Sequence, residues 1–393
     1  MPLQIKDRIS VIITIADKEL WLDNLNVLEV LHISCSTKLS LPMLYIRYRD
    51  GVEWVGRQKL LFDGSPIEVS ISRGQEPAKV YSFVLNSYKE RQDSGQLVYQ
   101  IDAYAAFPKY WNNSTQESIK GSASTALSFL ADTCGFKNVE IESTSDSQVW
   151  YPRNRRLHEW ARDIGRRGYE GDEGCFQLAV DADGTFRYWD LMKRRSATTE
   201  FGLSTLQPGV VLVTDYKPRS ASALLNKQNG YGAMRIEQKP LEISPFRIHE
   251  HISVPAPSGS LMMSGRIKSE VDRGRIQFAP IDPGNVNENF ERGLYQNERA
   301  RGLFSVGMDI LTPFVTETKL LDRVSLIVPK EIEYLKAYST EYVVVSRAII
   351  VQGIDYFEKF ELATTGLNDS FSDVADEATG PLYTDNSFLD GGL

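Results

Sequence analysis

The chain has 393 residues, with 44 basic against 52 acidic side chains, 42% hydrophobic and 24% charged residues. These values sit near the averages of soluble globular proteins and exclude fibrous, collagen-like and globally disordered chains. No run approaches the ~20 apolar residues of a membrane-spanning helix, and a net charge of −8 does not suit a general nucleic-acid binder.

At ~150 residues per domain the length predicts two or three domains. The N-terminus is charged early, at Lys6, Asp7 and Arg8, and lacks the pattern of a secretory signal. Three scattered cysteines, Cys35, Cys134 and Cys175, build neither a disulfide framework nor a zinc ribbon and fit a reducing cytoplasm.

Residues 1–111 read as a first small antiparallel β-barrel. Residues 11–15 are β-branched, and 43–49 and 67–71 alternate in part with period two. Asp63-Gly64-Ser65-Pro66 is a turn, because Gly tolerates positive φ and Pro fixes its own. Strands over 79–89 and 97–105 flank Asp93-Ser94-Gly95, a hairpin signal.

Residues 112–205 read as an α+β unit. Ser122 is placed to cap a helix whose Ala126, Leu127, Leu130 and Ala131 share one face, and Gly135 stops it. A short strand over 139–141 precedes a second helix, 157–167, ended by Gly168. Strands over 176–180 and 185–189 flank the turn Asp181-Ala182-Asp183-Gly184.

Residues 206–367 read as a second β-barrel. Strands are predicted over 210–215, 232–238, 246–252, 324–328, 341–351 and 357–363, with a charged helix over 288–301. Residues 368–393 carry six acidic and no basic side chains and read as an acidic flexible tail, with Phe371, Tyr383 and Phe388 as docking anchors. The order basic–Leu–Leu, Asp, apolar strand, Tyr-led strand occurs twice, from Lys59 and from Lys319. Chance resemblance of short β-rich strings and a duplicated barrel are both open readings.

Catalytic and metal motifs are thin. His249 and His251 share one side of a strand and are the best metal candidates, but no cluster supplies further ligands. Two polar side chains on a strand face is the plainer reading. Asp181 to Gly184 opens like a calcium loop, yet Phe186 and Met192 occupy the positions that need Gly and Glu. Arg153, Arg155, Arg156, Arg162, Arg166 and Arg167, with Tyr151 and Trp160, suit a protein interface, a solvated helix face or nucleic acid. Cys134 and Cys175 share a unit with His158, but Cys134 ends an apolar helix face and reads as packing. Glu170, Asp172 and Glu173 pair carboxylates in a Gly-rich loop without an implied cleft. No phosphate loop or nucleophile elbow occurs.

The order of the middle unit resembles the baseplate hub proteins of contractile-tailed phages and their relatives in type VI secretion spikes and siphophage tail tips. The residues that carry it are the helix from Thr125 to Gly135, the helix Leu157-His158-Glu159-Trp160-Ala161 ending at Gly168, and the hairpin turning at Asp183-Gly184. Tyr295 to Arg301 before a β region, and Ser339 to Val344 before the last strands, are also similar. His158, Glu159 and the heavy basic run from Arg153 depart from the pattern.

The resemblance implies a β-dominated α+β fold in which two barrels embrace the α+β unit. It implies a structural virion protein, not an enzyme, assembled in the host cytoplasm. Its partners would be two further copies in a homotrimer, the tail tube ring, a central spike on a separate chain, and other baseplate proteins. Two similar barrels per chain would adapt a sixfold tube to a threefold spike around a DNA channel, with no specific nucleic-acid binding, no stable membrane insertion and no cofactor. Ring contacts are expected from Ile67, Val69, Ile71, Tyr81, Phe83, Val324, Leu326, Val328, Tyr342 and Val344. The rival classes are a cell-wall-degrading enzyme and a carbohydrate- or receptor-binding β module.

Overall fold

A computed structural model describes residues 3–220, apart from short breaks at 6–8, 23–25, 39–40, 75–76, 153, 172–173, 192, 194–195 and 204–207. It also describes the strands 234–239, 247–251 and 275–280, and residues 306–364 apart from 330–332 and 354. The expected helix over 288–301 and the tail from 368, with Phe371, Tyr383 and Phe388, lie outside the described residues.

The first unit is built from β1 (Leu3–Ile5), β2 (Ile9–Ile15), β3 (Lys18–Glu19), β4 (Asn26–Ser36), β5 (Met43–Asp50), β6 (Pro66–Arg73), β7 (Lys79–Asp93) and β8 (Gln96–Ala105). Period-two patterning decides which face turns inward. Ile9, Val11, Ile13 and Ile15 of β2 are buried, and their alternates are half-buried. The turn between β7 and β8 has Ser94 and Gly95 at positive φ, as a two-residue hairpin with right-handed twist requires. A short helix α1 (Trp54–Gln58) escapes the periodicity signal. It is nucleated by the buried Asp50, whose carboxylate accepts the Trp54 and Val55 backbone N–H bonds at 2.8 Å.

The α+β unit holds α2 (Pro108–Asn112), β9 (Ile119–Gly121), α3 (Ala123–Cys134), β10 (Val139–Ile141), β11 (Gln148–Trp150), α4 (Leu157–Arg167), β12 (Phe176–Val180) and β13 (Phe186–Asp190). Both helices match the sequence reading. The Ser122 hydroxyl accepts the Thr125 N–H at 3.2 Å, and Gly135 turns the chain at φ 79°. The buried Asp146 adds a second cap by accepting the Ala123 N–H at 2.9 Å. Gly168 has extended φ, so its role is space. A Cβ built there would overlap the Ala123 Cβ and the Tyr188 hydroxyl. Gly168→Ala is expected to destabilise the protein by about 1–3 kcal/mol, the range for overpacking a filled core. Calorimetric unfolding of the purified variant checks it.

The second unit adds β14 (Thr199–Leu203), β15 (Val210–Val213), β16 (Asp215–Ser220), β17 (Met234–Lys239), β18 (Arg247–His251), β19 (Arg275–Pro280), β20 (Val306–Thr312), β21 (Arg323–Ile327), β22 (Glu341–Gln352) and β23 (Asp355–Thr364). The strands β17, β18 and β19 form a sheet of their own. The fold is β-dominated α+β, as expected.

The two β units repeat one another over five antiparallel strands and differ at the sixth, where β14 runs parallel to β21 but β2 runs antiparallel to β6. The first has the strand order β2-β6-β7-β8-β5-β4 and the second β14-β21-β22-β23-β20-β16. The β7–β8 hairpin pairs Ser87 with Asp102 and Asp93 with Gln96; the β22–β23 hairpin pairs Ser346 with Glu361 and Gln352 with Asp355. Both carry a bulge at the same place, between Leu85 and Ser87 and between Val344 and Ser346. One constant shift in numbering therefore relates the hairpins residue for residue. It sets Phe83, not Tyr81, opposite Tyr342, two residues from the alignment suggested by the Tyr-led strings.

Neither unit closes into a barrel among the described residues, which corrects the barrel expectation. In the first unit β4 does not return to β2, because its outer edge pairs with residues 346–352 of β22. That pairing joins the two units into one fifteen-stranded sheet.

Candidate functional site: a three-way joint and the surfaces around it

A buried charge network lies where the two β units meet the α+β hairpin. Arg347 on β22, 4% exposed at its side chain, has Nη2 donating to Glu358 Oε1 at 3.2 Å, and its Nη1 stands 3.7 Å from Asp181 Oδ1. Glu358, fully buried on β23, also accepts from Tyr356 Oη at 2.6 Å, Thr316 Oγ1 at 2.8 Å and Thr316 N at 3.2 Å. Asp181, in the β12–β13 turn, accepts the Ala182 N–H at 2.7 Å and the Leu320 N–H at 2.6 Å.

The β12–β13 hairpin grips the 319–322 loop with charges of both signs, Asp183 from its turn and Arg187 from β13. Asp183 Oδ2 takes Lys319 Nζ at 2.6 Å, and Arg187 Nη1 donates to Asp322 Oδ1 at 2.8 Å and to the Leu320 carbonyl at 2.7 Å. Gly184, at φ 80°, is needed here twice over, since a Cβ would also press on the Phe107 ring at 2.9 Å. Burial pushes the Asp181 carboxyl up against the pull of Arg347. Burial also pushes up the Cys35 thiol of β4, which feels both Asp181 and Arg347. All three parts of the chain therefore share one desolvated electrostatic cluster. It can rigidify; its acids are engaged in bonds within the protein.

The residues expected to make ring contacts are placed differently. Ile67, Val69, Ile71, Tyr81, Phe83, Val324, Leu326, Tyr342 and Val344 are at most 2% exposed, inside the subunit's own core, and Val328 is half-buried against it. Their strands β6, β21 and β22 are paired on both edges, and β7 pairs with β6 over 79–84 and with β8 from Phe83 onward. An apolar strand signal marks the inward face, and all of these side chains but Val328 are enclosed there.

Trp160 is buried and unavailable for stacking, while Tyr151 is exposed. Arg162 donates to the Lys38 carbonyl at 2.8 Å, Arg155 and Arg167 pair with Asp163, and Arg167 sits over Trp150. Arg153, Asp172 and Glu173 lie outside the described residues. Cys134 is buried and its thiol is pushed up to about 12, chiefly by desolvation, the opposite of an activated nucleophile. His158 stacks on Trp111 at 4.7 Å, and burial lowers its pKa. β18 carries His249 and His251 at the register positions opposite Ile236 and Met234; their side chains lie outside the described part. Among the described residues no group of three or more His, Cys, Asp or Glu is arranged to hold a metal ion, and no helix is long and apolar enough to cross a membrane.

No protein-family model matches the chain, and no curated protein matches it by comparison. The fold does match solved structures. The 43 kDa tail protein of prophage MuSo2 from Shewanella oneidensis superposes with a TM-score of 0.61 at 11% identity, over 91% of this chain and 98% of that one. A tail protein from Neisseria meningitidis MC58 superposes with a TM-score of 0.59 at 10% identity, over 90% and 96%. The chain has a phage tail-protein fold. This tail-protein fold takes in about nine-tenths of the chain.

Proposed function

We propose that the chain is a structural tail component, a hub subunit that assembles into a homotrimeric ring. The observation that carries the reading is the duplication: one chain supplies two β units with the same strand order and the same bulged hairpin. Three such chains present six similar units, which can match a sixfold tube ring on one side and a threefold spike on the other. The buried joint supports the same reading, since a rigid subunit keeps the relative rotation of its two units constant, and a ring closes only at a constant rotation.

In this reading the surrounding partners are the tube ring, a central spike and other baseplate proteins, and the DNA passes through the ring. The net charge of −8 suits passage, because an acidic lining repels phosphates instead of holding them. The subunit works by geometry alone, with no catalytic step and no cofactor.

Mass in solution tests this. Sedimentation of the purified chain is expected to give a species of three times 44.4 kDa, dissociating to single chains on dilution. A single-chain species at every concentration would overturn the ring.

A further inference from the structure

The two hairpins are equivalent, but their outer edges are not equally covered. After its bulge, β22 is buried or half-buried from Ser346 to Val351, because β4 pairs along that edge. The equivalent stretch of β7 is exposed from Asn86 to Gln92, with Tyr88 46% exposed. β6 stops pairing at Val84, so beyond the bulge β7 pairs only with β8 among the described residues.

The phase of the open edge follows from its covered twin. The Thr37 N–H donates to the Val345 carbonyl at 2.9 Å, and the Gly353 N–H to the Glu29 carbonyl at 3.3 Å. Val345, Arg347, Ile349 and Val351 thus turn their backbone groups toward β4. By equivalence Asn86, Tyr88, Glu90 and Gln92 turn theirs to the open side. Such a row of backbone groups is a template for strand addition.

We infer that this edge, residues 86–93, is covered by β16 of a second copy of the chain. The inference rests on the ring-forming reading above and names its contact. The occupant is chosen by topology. In the first unit β4 is the strand beyond β5; in the second unit β16 is the strand beyond β20. Within one chain, the last strand of unit one covers the hairpin of unit two. Repeating that contact puts the last strand of unit two on the hairpin of the next copy's unit one. Inner and outer contacts are then alike, and the arrangement is head-to-tail, the kind that generates rings.

The register follows as well. His32 pairs with Tyr45, and Tyr45 with Asp102; Lys217 pairs with Asp309, and Asp309 with Glu361. Asp102 and Glu361 are equivalent, so Lys217 stands where His32 does. His32 faces Ile350, whose equivalent is Arg91. Lys217 therefore faces Arg91, and Asp215 faces Asp93. Like charges stand directly opposite at Asp215–Asp93, Lys217–Arg91 and Arg219–Lys89, nearer than the unlike charges on the diagonals, so side-chain electrostatics oppose the contact and backbone pairing carries it. Pro218 faces Glu90 without an N–H, one ladder bond fewer than inside the chain. A polar edge with one missing bond suits a subunit that must stay soluble before it assembles.

Disulfide trapping tests it. Arg91 and Lys217 are exposed and fall at a non-hydrogen-bonded pair, where Cα atoms stand about 4.5 Å apart, within disulfide reach. The native cysteines Cys35, Cys134 and Cys175 are all buried and leave the background low. The full-length Arg91→Cys/Lys217→Cys variant, oxidised at assembling concentration, is expected to lose most of its single-chain band to linked species that reductant reverses. Each single variant should retain its single-chain band and serves as the folding control. If the unaltered chain forms its ring but the double variant links no more than the singles, the strand assignment is overturned and the hub reading stands. If neither chain associates at any concentration, the hub reading falls, and this contact with it.

Discussion

Arg347→Met is expected to cost about 3–5 kcal/mol of folding stability, the range for removing one partner of a buried ion pair. The side chain is almost fully enclosed, and two buried carboxylates depend on it. Glu358 would keep its bonds from Tyr356 and Thr316 but lose its counter-charge; Asp181 would keep only backbone donors. Much of the loss is the desolvation of carboxylates left behind, not the value of the pair itself. The triple variant Arg347→Met/Glu358→Gln/Asp181→Asn removes those charges and should recover part of the loss. Urea unfolding of the three proteins checks both statements. A loss below about 1 kcal/mol in the single variant would mean that water reaches the joint and screens it.

Most elements were legible in the residues. Caps at Ser122 and Gly135, the Ser94-Gly95 turn and the hairpin turn at Gly184 each require a particular residue type, so local chemistry located them. The joint was not legible, and the reason is the bulge. Between Val344 and Ser346 the alternation of β22 shifts, so Tyr342 and Val344 point inward before it and Arg347, Ile349 and Val351 after it. Strict period two from Tyr342 would turn Arg347 outward, like an ordinary charged strand residue. The residues expected at ring contacts lie in the core for a related reason. Hydrophobic alternation identifies the face buried in the subunit, whereas an assembling edge is marked by missing strand partners, which depends on topology. The pairing of β4 with β22 spans some three hundred residues of sequence, and no local pattern announces it.

Arg187→Met is expected to destabilise by a similar amount, about 3–5 kcal/mol, but through a different interface. Arg187 and Asp322 have side chains 6% and 7% exposed, and their bond links the β12–β13 hairpin to the loop before β21. Arg187 also donates to the Leu320 carbonyl, pairs with Glu140 at 2.9 Å and lies over Trp189 at 4.2 Å. Removing it leaves Asp322 with the Lys319 N–H at 2.8 Å as its remaining named donor. The double variant Arg187→Met/Asp322→Asn should again recover part of the loss. A second consequence separates this site from Arg347. The α+β unit keeps its own core around Trp160, Phe186 and Tyr188, so loosening the clamp should free the hairpin from the 319–322 loop before either part unfolds. Hydrogen exchange is expected to quicken first at the Leu320 amide, which donates to Asp181, while the α3 and α4 amides stay protected. Uniform quickening across the chain would show that the joint and the cores form one cooperative unit.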